Sequence, residues 1–352
     1  MRPVIESGDR EIREGQKEVR IGLISDTQNL ENPEDIVRKL GTEKFDLIIH
    51  LGDAAVGPMT NGLVQEGKRI FGIKEGLIKG ELTETEEADY QQVSSSADFK
   101  RFTEQGDHKP RAYMKAKMIL DPDLKKRDTQ IERERTEKLL IALNKLGIPI
   151  KHLMGNIEMA DPERLSFIQE KESQLGIEGY TEPDFIDLGE TALIVWPYQN
   201  IDPKRKDEIN NTLEKKAEEL AQKAAGKKQV IVIAHEHLLK GPLNYGERAQ
   251  EACFKKVRLP RLQPQNSYSH LVHLLSELPA ETKISYVHGH LHDPKETLKA
   301  GMPYLQEEDG KFKYGVGIPH TERYKEINII YLPHGETAAL EINSEGVKIK
   351  EK

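Results

Sequence analysis

Five short runs rich in Ile, Val and Leu, each breaking off at a polar residue, constrain this chain more than any other feature of its sequence. VRIGLIS (19–25) stops at Asp26, FDLIIHLG (45–52) at Asp53, IPIKHLMG (148–155) at Asn156 and QVIVIA (229–234) at His235, while KISYVHG (283–289) leads into His290. Runs of this length and β-branched content read as buried strands. Between the first two, Asn32 is a good N-cap and Pro33 suits the first helical position, so a helix through about Leu40 is expected, with Gly41 as its stop. Strand–helix–strand units build parallel sheets, and in open α/β sheets ligands bind at the carboxyl ends of the strands. Five polar strand ends are therefore expected to converge on one site.

The rest of the chain fits around that frame. Residues 57–140 open with glycines, pass through ELTETEEAD and continue as charged, helical-looking sequence, which reads as a mostly helical insertion. DFIDLGETALIVWP (184–197) reads as a hairpin turning at Gly189 and Glu190, and 202–228 as an amphipathic helix facing solvent. After residue 327, two or three antiparallel strands are expected, with turns at 333–336 and 344–346. The expected domains are an N-terminal extension over 1–18, a main α/β domain from 19–56 and 141–350, and the insertion over 57–140.

Composition limits the function classes. The 352 residues carry 52 Lys+Arg against 60 Asp+Glu, a net charge of −8, which argues against wholesale binding of nucleic acid. With 32% charged and 36% apolar residues, most apolar side chains have to be inside. A single cysteine, Cys253, excludes an internal disulfide framework. The opening residues MRPVIESGDREIREGQKEVR lack the apolar core of a signal peptide, and no run approaches a membrane span, so a cytoplasmic protein with no membrane partner is expected.

The polar strand ends carry the chemistry. Asp26-Thr27-Gln28, Gly52-Asp53, Gly155-Asn156, His235 and His290-Leu291-His292 offer oxygen and imidazole donors, a set that suits Mn, Fe, Zn or Mg. In extended chain, residues i and i+2 point the same way, so Asp26 pairs with Gln28 and His290 with His292. Glycines before Asp53, Asn156 and His290 let the backbone turn sharply into a site. Taken singly, an Asp after a strand is ordinarily a cap or turn residue, and a lone His a structural one.

Taken in order, SDTQ, LGDAA, MGNIE, IAHEH and HGHLH resemble the signatures of the calcineurin-like metallophosphoesterase superfamily: Asp-x-His, Gly-Asp, Gly-Asn-His-Asp/Glu, a strand-terminal His and Gly-His-x-His. The resemblance covers about 19–56 and 148–350. It implies an α/β/β/α sandwich of two mixed sheets flanked by helices, here with a helical insertion. It further implies that Asp26, Gln28, Asp53 and His292 bind one divalent metal ion and Asp53, Asn156, His235 and His290 a second. Asp53 would bridge the two, and a metal-bridging hydroxide would attack phosphorus.

Two positions depart from the pattern. Gln28 stands where the family usually has histidine, and its harder amide oxygen shifts preference toward Mn or Mg. Similar Asp-x-Gln variants occur in the branch containing Mn-dependent ADP-ribose/CDP-alcohol diphosphatases. Ile157 replaces the histidine that in many members protonates the leaving group or contacts phosphate. His237 is the candidate general acid in its place, Glu158 a residue that orients a ligand, and His334 a substrate contact. His288, His270 and His273 are read as structural or surface residues, and the cluster Lys255, Lys256, Arg258 and Arg261 as a solvated loop.

The implied function is dinuclear, metal-dependent hydrolysis of a phosphodiester or nucleotide-type pyrophosphate. Manganese is the favoured metal, with a phosphorylated small molecule or nucleotide as substrate. The alternatives are a catalytically degraded, metal-binding scaffold of the same fold and a DNA repair-type nuclease, the latter disfavoured by the acidic charge and by Ile157.

Overall fold

The protein is described here from a computed structural model. The described residues are 18–27, 32, 34–41, 43–54, 58–199, 205–235, 268–279, 281–289, 305–306, 312–317, 324–332, 337–343 and 346–351.

Two mixed sheets form the centre of the main unit. In the first, β1 (Glu18–Ile24), β2 (Leu47–His50), β3 (Ile150–Leu153) and β4 (Glu178–Tyr180) run parallel. The antiparallel pair β12 (Thr337–Asn343) and β13 (Gly346–Glu351) extends it on the β1 side, giving the order β13-β12-β1-β2-β3-β4. The second sheet has the order β5-β6-β7-β8-β11-β10-β9. In it β6 (Thr191–Trp196), β7 (Gln229–Ala234), β8 (Lys283–His288) and β11 (Tyr324–Tyr331) are parallel. Strands β5 (Asp184–Leu188), β10 (Phe312–Gly317) and β9 (Leu305–Gln306) join it antiparallel.

The strand runs read as continuously apolar because both faces of each sheet are covered. Strand β7 shows this residue by residue, since all six of its residues are buried. Its Ile231 and Ile233 meet Ile21, Leu23, Ile49, Leu51 and Leu153 between the sheets. Its Val230, Val232 and Ala234 face outward, where Leu213, Ala217 and Leu220 of the helix Lys206–Lys223 and Leu271, Leu274 and Leu275 of the helix Tyr268–Glu277 cover them. The outer face of the first sheet (Ile24, Ile48, Ile150, Ala339) is covered by Ile36, Val37 and Leu40 of α1 (Glu34–Leu40) and by Leu139, Leu140 and Leu143. The architecture is thus two mixed sheets flanked by helices, as expected.

Several local signals act as written in the sequence. Asp35 N–H donates to Asn32 O (3.0 Å) and Gly41 N–H to Val37 O (3.0 Å), closing α1 at both ends. Strands β5 and β6 pair across a two-residue turn, Leu188 opposite Thr191, with Gly189 at φ 80°. Of the C-terminal strands, β12 and β13 pair antiparallel as expected, with Asn343 opposite Gly346, but β11 does not join them. It lies parallel to β8 in the second sheet, whereas β12 pairs with β1 in the first. Local alternation specifies a strand but not its partner.

Residues Ala55–Glu137 form a second compact unit. Its helices are α2 (Pro58–Lys74), α3 (Glu84–Ser95), α4 (Ala97–Glu104), α5 (Lys109–Leu120) and the larger part of α6 (Pro122–Asn144). Ile70, Phe71, Val93, Tyr113 and Ala116 make its core, and Thr83 with Glu86 forms a capping box at the start of α3. Among the described residues, no helix is long and apolar enough to cross a membrane.

Candidate metal centre

Because β1, β2 and β3 are parallel neighbours, the residues that follow them leave the first sheet along the same edge, and His235 follows β7 of the second sheet. One ligand atom from each of Asp26, Asp53 and His235 lies within 4.8 Å of the others, and all three residues are buried. Asn156 begins a short helix, α7 (Asn156–Met159), and its Oδ1 is 2.9 Å from His235 Nε2. The structure therefore brings Asp26, Asp53, Asn156 and His235 together. Gln28, His237, His290, His292 and His334 lie outside the described residues, as do Cys253 and the basic cluster 255–261.

The hydrogen bonds around these four residues suit a cation. The Leu51 carbonyl can only accept, so His235 Nδ1, 2.8 Å away, carries a proton and donates it. His235 Nε2 is left facing Asn156 Oδ1 and, at 3.5 Å, Asp53 Oδ2. Fixing one imidazole nitrogen on a backbone carbonyl while the other points into the site is how metal-binding histidines are oriented. Asp53 Oδ1 accepts the Ile157 N–H (3.0 Å), whereas the buried Asp53 Oδ2 receives no hydrogen bond from the described residues. Burial first, then the charges of Glu158 and Asp26, hold the Asp53 carboxyl well above the usual carboxylate range. A positive charge at this point would relieve all three effects, so the donor set fits a divalent metal ion.

Glu158 acts through the backbone. Its Oε2 accepts the N–H of Gly155 (2.8 Å) and of Asp53 (3.0 Å), and its Oε1 that of Ala54 (2.6 Å). The fully buried carboxylate thereby ties the turn after β2 to the turn after β3. Ile157 contributes its backbone N–H to Asp53, and its side chain offers no proton.

The three motif glycines are needed for different reasons. Gly52 has φ 102°, and a Cβ there would sit 2.7 Å from Gly155 Cα and 2.8 Å from His235 Nδ1. Gly155 and Gly289 do not need a left-handed backbone. A Cβ on Gly155 would strike Asp53 Oδ1, and one on Gly289 would strike Ser25 Oγ and Asp26 Oδ2. The end of β8, which leads to His290, is thus packed directly against the Asp26 turn. Asp26 (φ 48°) and Asp53 (φ 54°) are themselves left-handed, among the described residues the two non-glycines with positive φ. Such strain recurs at functional sites.

Sequence reasoning missed Ser25 and His50 here, and it named Thr27 among the polar strand ends without giving it a role. Ser25 Oγ donates a short hydrogen bond to Asp26 Oδ2, and Thr27 Oγ1 donates to Ala54 O and meets His50 Nε2 at 3.1 Å. His50 sits inside an apolar run, and its only sequence signal is its place three residues before Asp53. Of the histidines read as structural, His288 is buried with Nδ1 3.0 Å from Gly289 O, and His270 is buried with Nε2 2.9 Å from Asn210 Oδ1.

No protein-family model matches the chain, and no curated protein matches it. Among solved structures, it is similar to a dimetal phosphatase from Danio rerio, at 9% identity over 95% of this chain and 95% of that one, with a TM-score of 0.46. A Haemophilus influenzae NAD nucleotidase is similar at 13% identity over 95% of this chain and 49% of that one, with a TM-score of 0.35. The structure of PhoD is similar at 8% identity over 95% and 68%, with a TM-score of 0.42. At these identities and scores the likeness carries no residue roles. In the sequence, the five ordered signatures of this chain resemble the calcineurin-like metallophosphoesterase superfamily, and the two-sheet α/β/β/α arrangement is the one that resemblance implies.

Proposed function

We propose that this chain is a dinuclear metal-dependent phosphohydrolase acting on a phosphodiester or nucleotide-type pyrophosphate. The observation that carries the reading is the convergence of buried Asp26, Asp53 and His235, with no hydrogen-bond donor to Asp53 Oδ2 among the described residues. Asp26, Asp53, Asn156 and His235 would hold the cations, with Gln28, His290 and His292 completing the set. Manganese is the favoured metal, given the preponderance of hard oxygen donors. Divalent cations bound there would supply Lewis acidity, lowering the pKa of a water and neutralising charge on phosphoryl oxygens.

The chain's own residues set the rest. Leu51 O fixes the imidazole of His235, and Glu158 holds the Asp53 and Asn156 turns in register. Ile157 cannot protonate a leaving group, which favours a diester or anhydride whose leaving group departs as a stable anion. Where a proton is required, His237 would provide it, and His334 would contact substrate. The helical unit 57–140 is an insertion in the catalytic domain under this reading.

The test is metal content together with Mn-stimulated hydrolysis of a generic phosphodiester, a phosphomonoester, ADP-ribose and single-stranded DNA, with Asp53→Asn as control. Turnover of the diester or ADP-ribose that vanishes in Asp53→Asn supports the proposal. Activity surviving that substitution would sink the mechanism, and absence of both metal and activity would favour a scaffold. Preferred turnover of DNA would favour a nuclease.

A further inference from the structure

We propose that His50 is a positioning residue that fastens the Asp26 turn to the Asp53 turn and so presets the metal centre. The inference rests on the metal-centre reading above and adds to it a residue outside the donor set. His50 ends β2 and is buried. Its Nδ1 is 3.2 Å from the Gly52 N–H, which can only donate, so Nδ1 is the unprotonated nitrogen. Nε2 then carries the hydrogen and donates it to Thr27 Oγ1 at 3.1 Å. The Thr27 hydroxyl passes its own hydrogen on to Ala54 O. The chain of donors runs in one direction, from His50 through Thr27 to Ala54, and each group has the role its neighbours allow.

Those contacts fall on the residues flanking both aspartates. Thr27 follows Asp26, and Gly52 and Ala54 bracket Asp53. Both aspartates are held at positive φ, a backbone conformation uncommon for residues other than glycine, which the surrounding contacts have to maintain. A direct backbone bond between the turns, Asp26 N–H to Gly52 O, is long at 3.3 Å. His50 supplies two further links from a rigid ring.

The ring is held in turn. His152, its neighbour across the strand pair, packs edge to face against it with ring centroids 4.8 Å apart and planes at 88°. His152 Nδ1 is anchored 2.6 Å from the buried Glu172 Oε1 of the helix Pro162–Leu175. Burial, then the proximity of His152 and His235, keeps His50 neutral by holding its pKa well below the imidazole range. A neutral ring is required for Nδ1 to accept from Gly52.

Three variants separate the links. His50→Phe keeps a ring and loses both hydrogen bonds. His50→Asn can place an acceptor near Gly52, and His50→Gln a donor near Thr27. Mn(II) affinity by titration calorimetry is read beside hydrogen exchange of peptides covering 24–28 and 51–55 in metal-free protein, with circular dichroism confirming the fold. Loss of a residue that orients metal ligands weakens binding by about 10–100-fold. The expected result is a loss of that order in His50→Phe, smaller losses in the Asn and Gln variants, and faster exchange in both peptides. If His50→Phe does not fold, losses in His50→Asn and His50→Gln with faster exchange at Thr27 and at Gly52 respectively carry the same conclusion. Folded variants that melt earlier yet keep wild-type affinity and exchange would overturn the proposal, since His50 would then be merely structural. A wild-type chain that binds no Mn(II) refutes the metal reading instead, and the exchange data still decide the positioning.

Discussion

Glu158→Ala offers the most direct measure of how much the turns after β2 and β3 depend on one carboxylate. The side chain is fully buried and accepts three backbone hydrogen bonds, from Gly155, Asp53 and Ala54, at 2.6–3.0 Å. Removing an acceptor from a buried donor costs about 1–3 kcal/mol, so three orphaned N–H groups set a ceiling of roughly 9 kcal/mol. Two effects reduce it: the charge of Glu158 no longer opposes that of Asp53, and water can enter the space left. A net loss of about 3–5 kcal/mol is expected, a large share of the ~5–15 kcal/mol that stabilises a typical domain. Glu158→Gln is the graded control. Its amide oxygen can serve Gly155 and Asp53, but its NH2 then faces the Ala54 N–H, giving a loss of about 1–2 kcal/mol. The assay is urea unfolding followed by the fluorescence of Trp196, the one tryptophan, which is buried in the main unit. An Ala variant within 1 kcal/mol of wild type, or a Gln variant worse than Ala, would refute the argument.

Asp53→Asn should abolish divalent-metal binding and yet raise the melting temperature of the protein in chelator. The Asp53 pKa is raised in the fold, so its favourable contribution is present only at low pH and is lost as pH rises through that value. At neutral pH its ionised form therefore opposes folding, and a neutral amide, which keeps an oxygen for the Ile157 N–H, removes the opposition. A lower melting temperature than wild type in chelator would contradict this. Gly52→Ala combines φ 102° with a Cβ 2.7 Å from Gly155 Cα and is expected to destabilise by about 2–4 kcal/mol, with wild-type stability in urea as the contrary result. His152 should make stability pH-dependent. Burial disfavours its charge, but the hydrogen bond and charge of Glu172, with Glu158 adding, outweigh this and hold its pKa above the imidazole range. The resulting stabilisation is complete below about pH 6.5 and fades as pH rises through the raised value. Glu172→Gln should flatten that slope in melts taken between mildly acidic and alkaline pH, and an unchanged slope would exclude the pair as its origin.

The strand framework was legible because sandwiching covers both faces of the sheets. A run such as QVIVIA then needs no alternation, and its end is marked by the first residue that leaves the core. The positions of Asp26, Asp53, Asn156 and His235 followed from the same signal. The pairing of β11 and β12 did not, because neither residue pattern nor turn length says which sheet a strand will enter. His50 was illegible for a different reason: its partners, Thr27 and Gly52, come together only when β1 and β2 pair, and inside FDLIIHLG it looks like an interruption in a strand. The glycines were read correctly as necessary, but for Gly155 and Gly289 the cause is the approach of Asp53, Ser25 and Asp26 rather than a turn.

Why buried acids stand at this place follows from the compensation each receives. Glu158 is satisfied by three backbone N–H groups, Asp53 Oδ1 by a fourth, from Ile157, and Asp26 Oδ2 by the Ser25 hydroxyl. These hydrogen bonds fix the carboxylates in place. Among the described residues, Asp53 Oδ2 faces the imidazole of His235 at 3.5 Å and accepts no hydrogen bond, and that imidazole has already given its Nδ1 hydrogen to Leu51. Burying ionised carboxylates without counter-charge is among the most unfavourable arrangements a fold can adopt. Here the chain adds backbone strain at Asp26 and Asp53 to achieve it, and the raised pKa of Asp53 reflects the result. A fold selected for stability alone would place neutral side chains there. The arrangement becomes favourable once a cation occupies the convergence point, so in metal-free protein the same residues that weaken the fold are those that would bind it.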